Sequence, residues 1–391
     1  MKRQRSTAVC PEGWYYLLVL SFVLCGAMLR EVNLLLVLAG MLIGPLLLSW
    51  RMVVITLRGL DIQRRMPSGV CAGDPLVVNL QLDNGRSRIG SWAVSVEEQI
   101  DREDVADKYG LAPIRPLVFF PYTPAGQSRG RAYRSVLSRR GRYRLGPLRV
   151  STRFPFGLLR CTITLGETQW LTVFPRLGRL TGQWRLRQRE ALEGAQHRRW
   201  RHSRVEGDFF GVRDWRSGDS RRRINWRSSA RHGTLVVSQF ERPHNRNVAV
   251  LVDLWQPEEP GPEHLETVEL AVSFAATVVT DLCRKGGSNL LLGSLDASGE
   301  AGRPQWTSGS ASGALLREAV EQLALAEAHH QDRLAELLAA ASQRIEPDSE
   351  VILIGTRPTG PSDAARQTFG RHIRHFNTAD DELARYFEPG E

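Results

Sequence analysis

Apolar and polar residues change rhythm three times along this chain. Two apolar runs open it, Trp14 to Leu29 and Leu34 to Trp50, separated by Arg30-Glu31-Val32-Asn33. Each run is at the short end of the roughly 17–25 residues that a spanning helix uses. One continuous helix would leave Arg30 and Glu31 in hydrocarbon, which is costly. The pattern therefore predicts a two-helix transmembrane hairpin over 14–50, after a polar N-terminus at 1–13. A cleaved signal peptide fits poorly, because a second apolar run follows at once with no small-residue cleavage site between them. Gly40 and Gly44 form a GxxxG pair that could bring the two helices close; two glycines beside a bend at Pro45 are the alternative.

From residue 60 to 176 the period becomes two. Leu76, Val78, Leu80 and Leu82 alternate with Val77, Asn79, Gln81 and Asp83, and Asn84-Gly85 supplies a turn. Trp92, Val94 and Val96 repeat the pattern. Further short runs punctuated by Gly and Pro end at 171–176, and the segment 101–113 lacks alternation and reads as a loop. Many short strands without a helical period predict an antiparallel β-sandwich. Residues 177–206 are polar and arginine-rich, and read as a linker or an exposed helix with a solvated face.

After 242 the rhythm alternates. Buried strands are predicted at 247–255, 289–297 and 351–356, with helices over 262–285 and 313–344. In the first helix Leu265, Val268, Val272, Ala275, Ala276 and Val279 share a face. Strand–helix alternation predicts an α/β domain over 242–391, doubly wound around a parallel sheet.

Charge then singles out one stretch. The chain has 52 Lys and Arg against 42 Asp and Glu, and Lys2, Lys108 and Lys285 are its only lysines. Residues 197–231 hold eleven arginines against four acids, Glu206, Asp208, Asp214 and Asp219. Five scattered cysteines without a CxxC pair fit a reducing compartment. Within 207–241, Asp219 reads as the N-cap of a helix over about 220–231, with Gly233 just past its end. Arg221, Arg222, Arg223, Arg227 and Arg231 decorate that helix, and Ile224 and Trp226 are placed to pack inward. Three arginines at a helix N-terminus oppose its dipole, so carboxylate partners are expected nearby.

Three chemistries suit this stretch. Arg–Asp pairs and two Trp rings can fasten domains together; Trp and Arg dominate protein-docking hot spots; Arg interleaved with aromatics can bind phosphate or nucleic acid. The four acids weigh against the last, and make nucleic acid an unlikely partner. A metal-dependent hydrolase on Asp208, Asp214 and Asp219 ranks below these, since the arginines can neutralise those carboxylates. No GxxxxGK[ST], HExxH or GxSxG motif occurs, so no enzyme activity and no cofactor are expected. His329-His330 and His372/His375 read as surface histidines.

The same stretch resembles the bacterial domain of unknown function 58 family, whose signature is matched by Phe209, Gly211, Arg213, Trp215 in place of the usual Tyr, Gly218, Asp219, Arg223, Ile224, Trp226, Ala230 and Arg231. RGRYRLGP at 140–147, PFGL at 155–158 and the apolar hairpin are similar to the family too, with Phe154 where an Asp is usual. The resemblance implies a C-terminal von Willebrand factor A-like domain and a MoxR-type AAA+ ATPase as partner. Many such domains hold a metal through D-x-S-x-S. Here those positions are Asp253, Trp255 and Pro257, both serines are missing, and no functional metal is expected.

Together these readings predict a non-enzymatic adaptor docking through Arg213, Trp215, Gly218, Asp219, Arg223, Trp226 and Arg231. It would sit in the bacterial plasma membrane, with the lipid bilayer as a second partner. Lys2, Arg3 and Arg5 precede the first apolar run and Arg51, Arg58, Arg64 and Arg65 follow the second, so positive-inside bias puts both ends in the cytoplasm. A nucleic-acid or anionic-lipid binder using 176–231 is the alternative.

Overall fold

A computed structural model describes residues 3–30, 33–103, 113–189, 209–217, 219, 221, 224–240, 246–295, 304–346, 349–357, 369 and 373–390. The chain divides into two compact units, Met1–Phe174 and Pro175–Glu391.

The first unit contains β1 (Arg3–Val9), α1 (Pro11–Arg30), α2 (Asn33–Thr56), β2 (Leu60–Arg65), β3 (Gly69–Cys71), β4 (Pro75–Asn84), β5 (Ser91–Arg102), β6 (Leu117–Thr123), β7 (Ser128–Val136), β8 (Gly141–Thr152), β9 (Leu159–Leu165) and β10 (Gln169–Phe174). A seven-stranded sheet runs β1-β9-β8-β10-β3, with β5 along β8 and β6 outside β5; a three-stranded sheet runs β2-β4-β7. The alternation in β4 is realised in full: Leu76, Val78, Leu80 and Leu82 are all buried. They share one core with Val94, Val96 and Ile100 of β5 and Leu145 and Val150 of β8. Trp92 breaks its row, being 42% exposed at the end of β5. Of the expected loop at 101–113, residues 104–112 lie outside the described residues.

Between the two sheets sits a polar triad. Arg64 of β2 meets Glu98 of β5 at 2.5 Å, and the Tyr133 hydroxyl of β7 donates to the other Glu98 oxygen at 2.5 Å. Burial pushes the Glu98 carboxyl above its ordinary range, against the pull of Arg64 and Tyr133.

Both apolar helices form, each long and apolar enough to cross a membrane. Their large side chains are mostly exposed, among them Trp14, Phe22, Leu29, Leu34, Met41 and Leu47, unlike those of a buried core helix. The glycine pair does not join them: a Cβ added at Gly40 or Gly44 would meet nothing within 4 Å. Buried Ala27 and Ala39 and a bond from the Tyr16 hydroxyl to the Leu42 carbonyl (2.7 Å) lie between the helices instead. The strand β1, polar and unpredicted, pairs with β9 from Arg3↔Leu165 to Val9↔Leu159. The segments before α1 and after α2 thus join the same fold, so the hairpin leaves and returns on one side.

The second unit contains β11 (Arg179–Leu180), α3 (182–189), β12 (Phe209–Asp214), α4 (Trp226–His232), β13 (Val236–Phe240), β14 (Arg246–Asp253), α5 (Pro262–Lys285), β15 (Ser288–Leu295), β16 (Pro304–Ser310), α6 (Gly313–Leu325), α7 (Leu334–Ser342), β17 (Glu350–Gly355), β18 (Ile373–Asn377) and β19 (Phe387–Glu388). Its main sheet runs β16-β15-β14-β17-β18. All neighbours are parallel except β16, an antiparallel edge strand whose Gly- and Ser-containing sequence gave no strand signal. Helix α5 buries Val268, Val272, Ala275, Ala276 and Val279 of the predicted face, while Leu265 is only half-buried and every residue from Ala271 to Thr280 is enclosed.

Two expectations need correction here. In the arginine-rich stretch, α3 is a helix with most of its positions exposed, but it is also anchored: Trp184 is 1% exposed and packs edge-on against Phe274 at 5.5 Å. The helix expected over 313–344 is two helices, α6 and α7. Between them, the His329 N–H donates to the Leu254 carbonyl (2.9 Å) and the Gln256 N–H to the His329 carbonyl (3.0 Å). This pairing with the chain beyond β14 overrides the helical propensity of the segment.

Candidate functional site

The signature folds as a hairpin with a helix inserted before its second strand. β12 and β13 pair antiparallel, Arg213↔Val237 and Asp214↔Val236 among the partners. The helix is shorter than its sequence predicts. Its N-cap is Asn225, whose side chain accepts from the Ser228 N–H at 3.1 Å, and Gly233 closes it in the left-handed conformation, φ 71°, with its N–H on the Ser229 carbonyl. Asp219 is therefore not the cap. Both its oxygens accept from the Arg213 guanidinium at 2.7 Å, and one also accepts from the Arg216 N–H at 2.9 Å. Those donors hold the Asp219 carboxyl below its ordinary range. The fork geometry of arginine suits this two-point grip, which fixes the loop across the end of β12.

The other signature residues separate by exposure. Trp215 is half-buried and its indole N–H finds no acceptor among the described residues. Trp226, expected to pack inward, is instead 67% exposed on α4. Arg221, Arg227 and Arg231 are exposed as well, and among the described residues none of them has an acidic partner. Trp226 and Ala230, and Arg227 and Arg231, are i,i+4 neighbours and so lie close on the helix surface. Gly218, Arg222 and Arg223 lie outside the described residues, as does Asp208.

A second cluster lies where β14 and β17 end, the point at which strand order reverses from β14 towards β15 on one side and β17 on the other. Such a reversal opens a crevice in α/β sheets. Asp253, the last residue of β14, is buried and held twice: Arg357 Nε lies 2.7 Å from Oδ2 and His329 Nε2 lies 3.2 Å from Oδ1. Arg357 Nη1 reaches on to Asp332 at 2.6 Å. The Thr356 hydroxyl accepts from the Trp255 N–H at 2.8 Å, tying the two strand ends together. Burial would raise the Asp253 carboxyl, but His329 and Arg357 outweigh it and hold it below its ordinary range.

His329 is thus a buried partner of Asp253 and not a surface histidine. Sequence reading missed it because its partner lies far back in the chain; the signal available was the Asp at the end of a buried strand, which needed a counter-charge. His330 Nδ1 lies 2.8 Å from the Pro257 carbonyl, His375 lies in β18, and His372 is outside the described residues. The donor set does not fit a divalent cation. Both oxygens of Asp253 are engaged by side chains, one of them a guanidinium, where magnesium wants about six oxygen ligands. Among the described residues no three His, Cys, Asp or Glu side chains are placed to hold a metal.

Residues 211–354 match the model of a family described as "Protein of unknown function DUF58". A relative in Bacillus subtilis (strain 168), the uncharacterized protein YeaD, is 26% identical over 148 residues, covering 38% of this chain and 34% of that protein. The match therefore spans about a third of that relative. Among solved structures, a β-glucosidase from Listeria innocua aligns over 29% of this chain and 16% of its own, at 15% identity and TM-score 0.21. The superoxide reductase (neelaredoxin) from Ignicoccus hospitalis aligns over 29% of this chain and 80% of its own, at 12% identity and TM-score 0.20. Likenesses this slight bear on neither fold nor activity.

Proposed function

We propose, from the premise that residues 211–354 belong to the DUF58 family of unknown function, that this chain is a membrane-anchored, non-enzymatic adaptor that docks another protein through α4 and its flanking loop. The observation that carries this reading is Trp226. A large aromatic ring stands 67% exposed on a helix that also presents Arg227 and Arg231, exposed and without an acidic partner among the described residues, and that is capped at both ends and so held in one pose. Trp and Arg on a rigid element are what binding hot spots are made of, and pre-organisation lowers the entropic cost of association. Arg213 and Asp219 support that pose without offering themselves to a ligand, since each satisfies the other.

The finer architecture belongs to the same proposal. Two facing sheets with a shared core support a β-sandwich for the first unit. A mostly parallel sheet with α5, α6 and α7 supports a von Willebrand factor A-like second unit, with Arg357 where relatives keep a cation site. The family resemblance makes a MoxR-type AAA+ ATPase the partner. The arginines flanking the hairpin, and the return of the chain to one fold after it, support a bacterial plasma-membrane location with both ends cytoplasmic.

The test is co-purification from native membranes with the full chain, wild type beside Trp226→Ala/Arg231→Ala, after circular dichroism confirms that the variant folds. An AAA+ ATPase identified in the wild-type eluate and lost with the folded variant is the expected result; its retention by the variant sinks the reading. A second reading, binding of a polyanion, draws on the exposed Arg221, Arg227 and Arg231. It predicts capture that falls steeply with salt through counterion release, whereas docking on Trp226 falls little.

A further inference from the structure

The first unit is joined to its helices without a linker. Val53 and Leu57, at the end of α2 and just past it, are fully buried in the core shared by the two sheets. The Ser91 hydroxyl donates to the Thr56 carbonyl (3.2 Å), Arg86 donates to the Ile55 and Thr56 carbonyls, and the Cys10 N–H at the start of α1 donates to the Leu158 carbonyl (2.9 Å). The loops around residues 84–91, 123–127 and 153–158 therefore surround the ends of the hairpin. Asn84 ties the first two together, donating to the Ile89, Thr123 and Pro124 carbonyls at 3.0–3.2 Å.

That end of the unit is aromatic and basic. Trp92 and Tyr122 are each 42% exposed and pack at 4.1 Å, and Phe154 stacks on Trp92 at 5.7 Å. Gly90 lies so close to the Tyr122 ring that a Cβ there would sit 2.4 Å from it, so the ring is held in place. Phe156 and Ile89 are exposed beside them, and so are Arg58, Arg88 and Arg153. Trp14 and Trp50, at the same end of the hairpin, are exposed too. Trp and Tyr with Arg are the residues that settle at the membrane–water interface. Helix rise puts Trp50 only about 9 Å from Thr56, less than two helical turns, so this face begins close to the aromatic end of the hairpin.

We propose that this face of the first unit, built from Ile89, Trp92, Tyr122, Phe154 and Phe156, seats in the headgroup layer of the same bilayer that the hairpin crosses. The occupant is the lipid interface. Continuity with α1 and α2 argues for it, because the rigid junction leaves no length of chain to lift the face away. Exposed arginines around the rings add attraction to anionic lipid. This inference rests on the hairpin spanning a membrane, and the experiment separates the two.

The full chain, its native cysteines replaced by alanine, is reconstituted in phosphatidylcholine vesicles containing phosphatidylglycerol. Single nitroxide labels are placed through Ile89→Cys, Phe156→Cys, Val136→Cys and Val37→Cys, and collision with bilayer-soluble oxygen and with a water-soluble nickel chelate is measured. Val136 ends β7 about 27 Å from Ser128, at the strand end away from the hairpin, and serves as the aqueous reference. The expected result is a hydrocarbon signature at 37, an aqueous one at 136, and severalfold lower nickel access at 89 and 156 than at 136. If 37 lies in hydrocarbon while 89 and 156 match 136, the seat is overturned and the anchor stands. If 37 is aqueous, both are overturned.

Discussion

Two of the arginine–aspartate pairs in the second unit share a chemistry and differ in everything around it. Arg213 grips Asp219 with both ends of its fork at 2.7 Å, at the surface of the signature hairpin. Arg357 meets Asp253 through Nε at 2.7 Å, inside the sheet's end, with His329 on the other oxygen. Geometry alone would rank the first as stronger. Burial reverses the order: water screens the outer pair, whose worth is small, while removing one partner of the inner pair strands a charge away from water. The outer pair orients a loop. The inner pair is part of what keeps β14 and β17 together.

Arg357→Ala should sharpen this contrast most. It leaves Asp253 buried with His329 as its remaining partner, a loss of about 3–5 kcal/mol, read as a shift in the urea midpoint. Adding Asp253→Asn should recover part of that loss; no recovery would mean that the carboxylate is not what Arg357 serves. Acid makes the same point. The folded-state titration of Asp253 lies below its ordinary value of about 3.9, so its contribution is complete above that value and is lost as pH falls below it. Glu98 titrates above its ordinary value, of about 4.3, so its contribution is present below that value and lost as pH rises through the shifted one. Stability against pH should flatten below about 3.9 in Asp253→Asn and above about 4.3 in Glu98→Gln. Unchanged slopes would remove the carboxylates from the account.

Tyr133→Phe probes a buried pair from its side. It removes one of the bonds to Glu98 and leaves Arg64 in place, so the expected cost is smaller, about 1–3 kcal/mol. A cost as large as that of Arg357→Ala would mean that the phenol, and not the guanidinium, holds the two sheets to this carboxylate.

What the sequence discloses follows the range of the forces involved. The alternation of β4 is a local pattern with a local cause, and the structure reproduces it residue by residue; the stripe of α5 is buried from Val268 to Val279, though Leu265 is only half-buried and every residue from Ala271 to Thr280 is enclosed as well. The hairpin helices and the glycine that ends α4 are local patterns too. Two of the misses depend on distant partners. β1 is a polar strand held by backbone pairing to β9, 150 or more residues on. The break between α6 and α7 is imposed by hydrogen bonds to residues 254 and 256. Asp219 has the residue type and the position of a cap, but Arg213 offers it two charged donors, and Asn225 takes the helix end. At the site, sequence gives the residues and their chemistry. Exposure decides their role, and nothing in GDSRRRINW says that Trp226 points out.

Asn225→Ala tests how far the pose of α4 depends on its cap. Its side chain accepts one N–H at the helix start, worth about 1 kcal/mol. The loss should be local: amide exchange should rise at Ser228 and Ser229 while the main sheet keeps its protection. Protection lost throughout the second unit would mean that hairpin and sheet unfold together.

Arg213→Ala should do least to stability and most to docking. Its partner Asp219 lies in reach of water and keeps the Arg216 N–H, so the unfolding midpoint in salt-containing buffer should not move. The loop from 215 to 221 loses its clamp, and Trp226 with Arg231 loses its fixed setting. Capture of the partner should therefore weaken in a protein as stable as wild type, and Arg213→Lys should not restore it, because an ammonium cannot make the two parallel bonds that the fork makes. Equal capture by the alanine variant would mean that the pair does not set the pose of the docking surface. A fallen midpoint would place the outer pair with the inner one, as structure, and end the distinction between them.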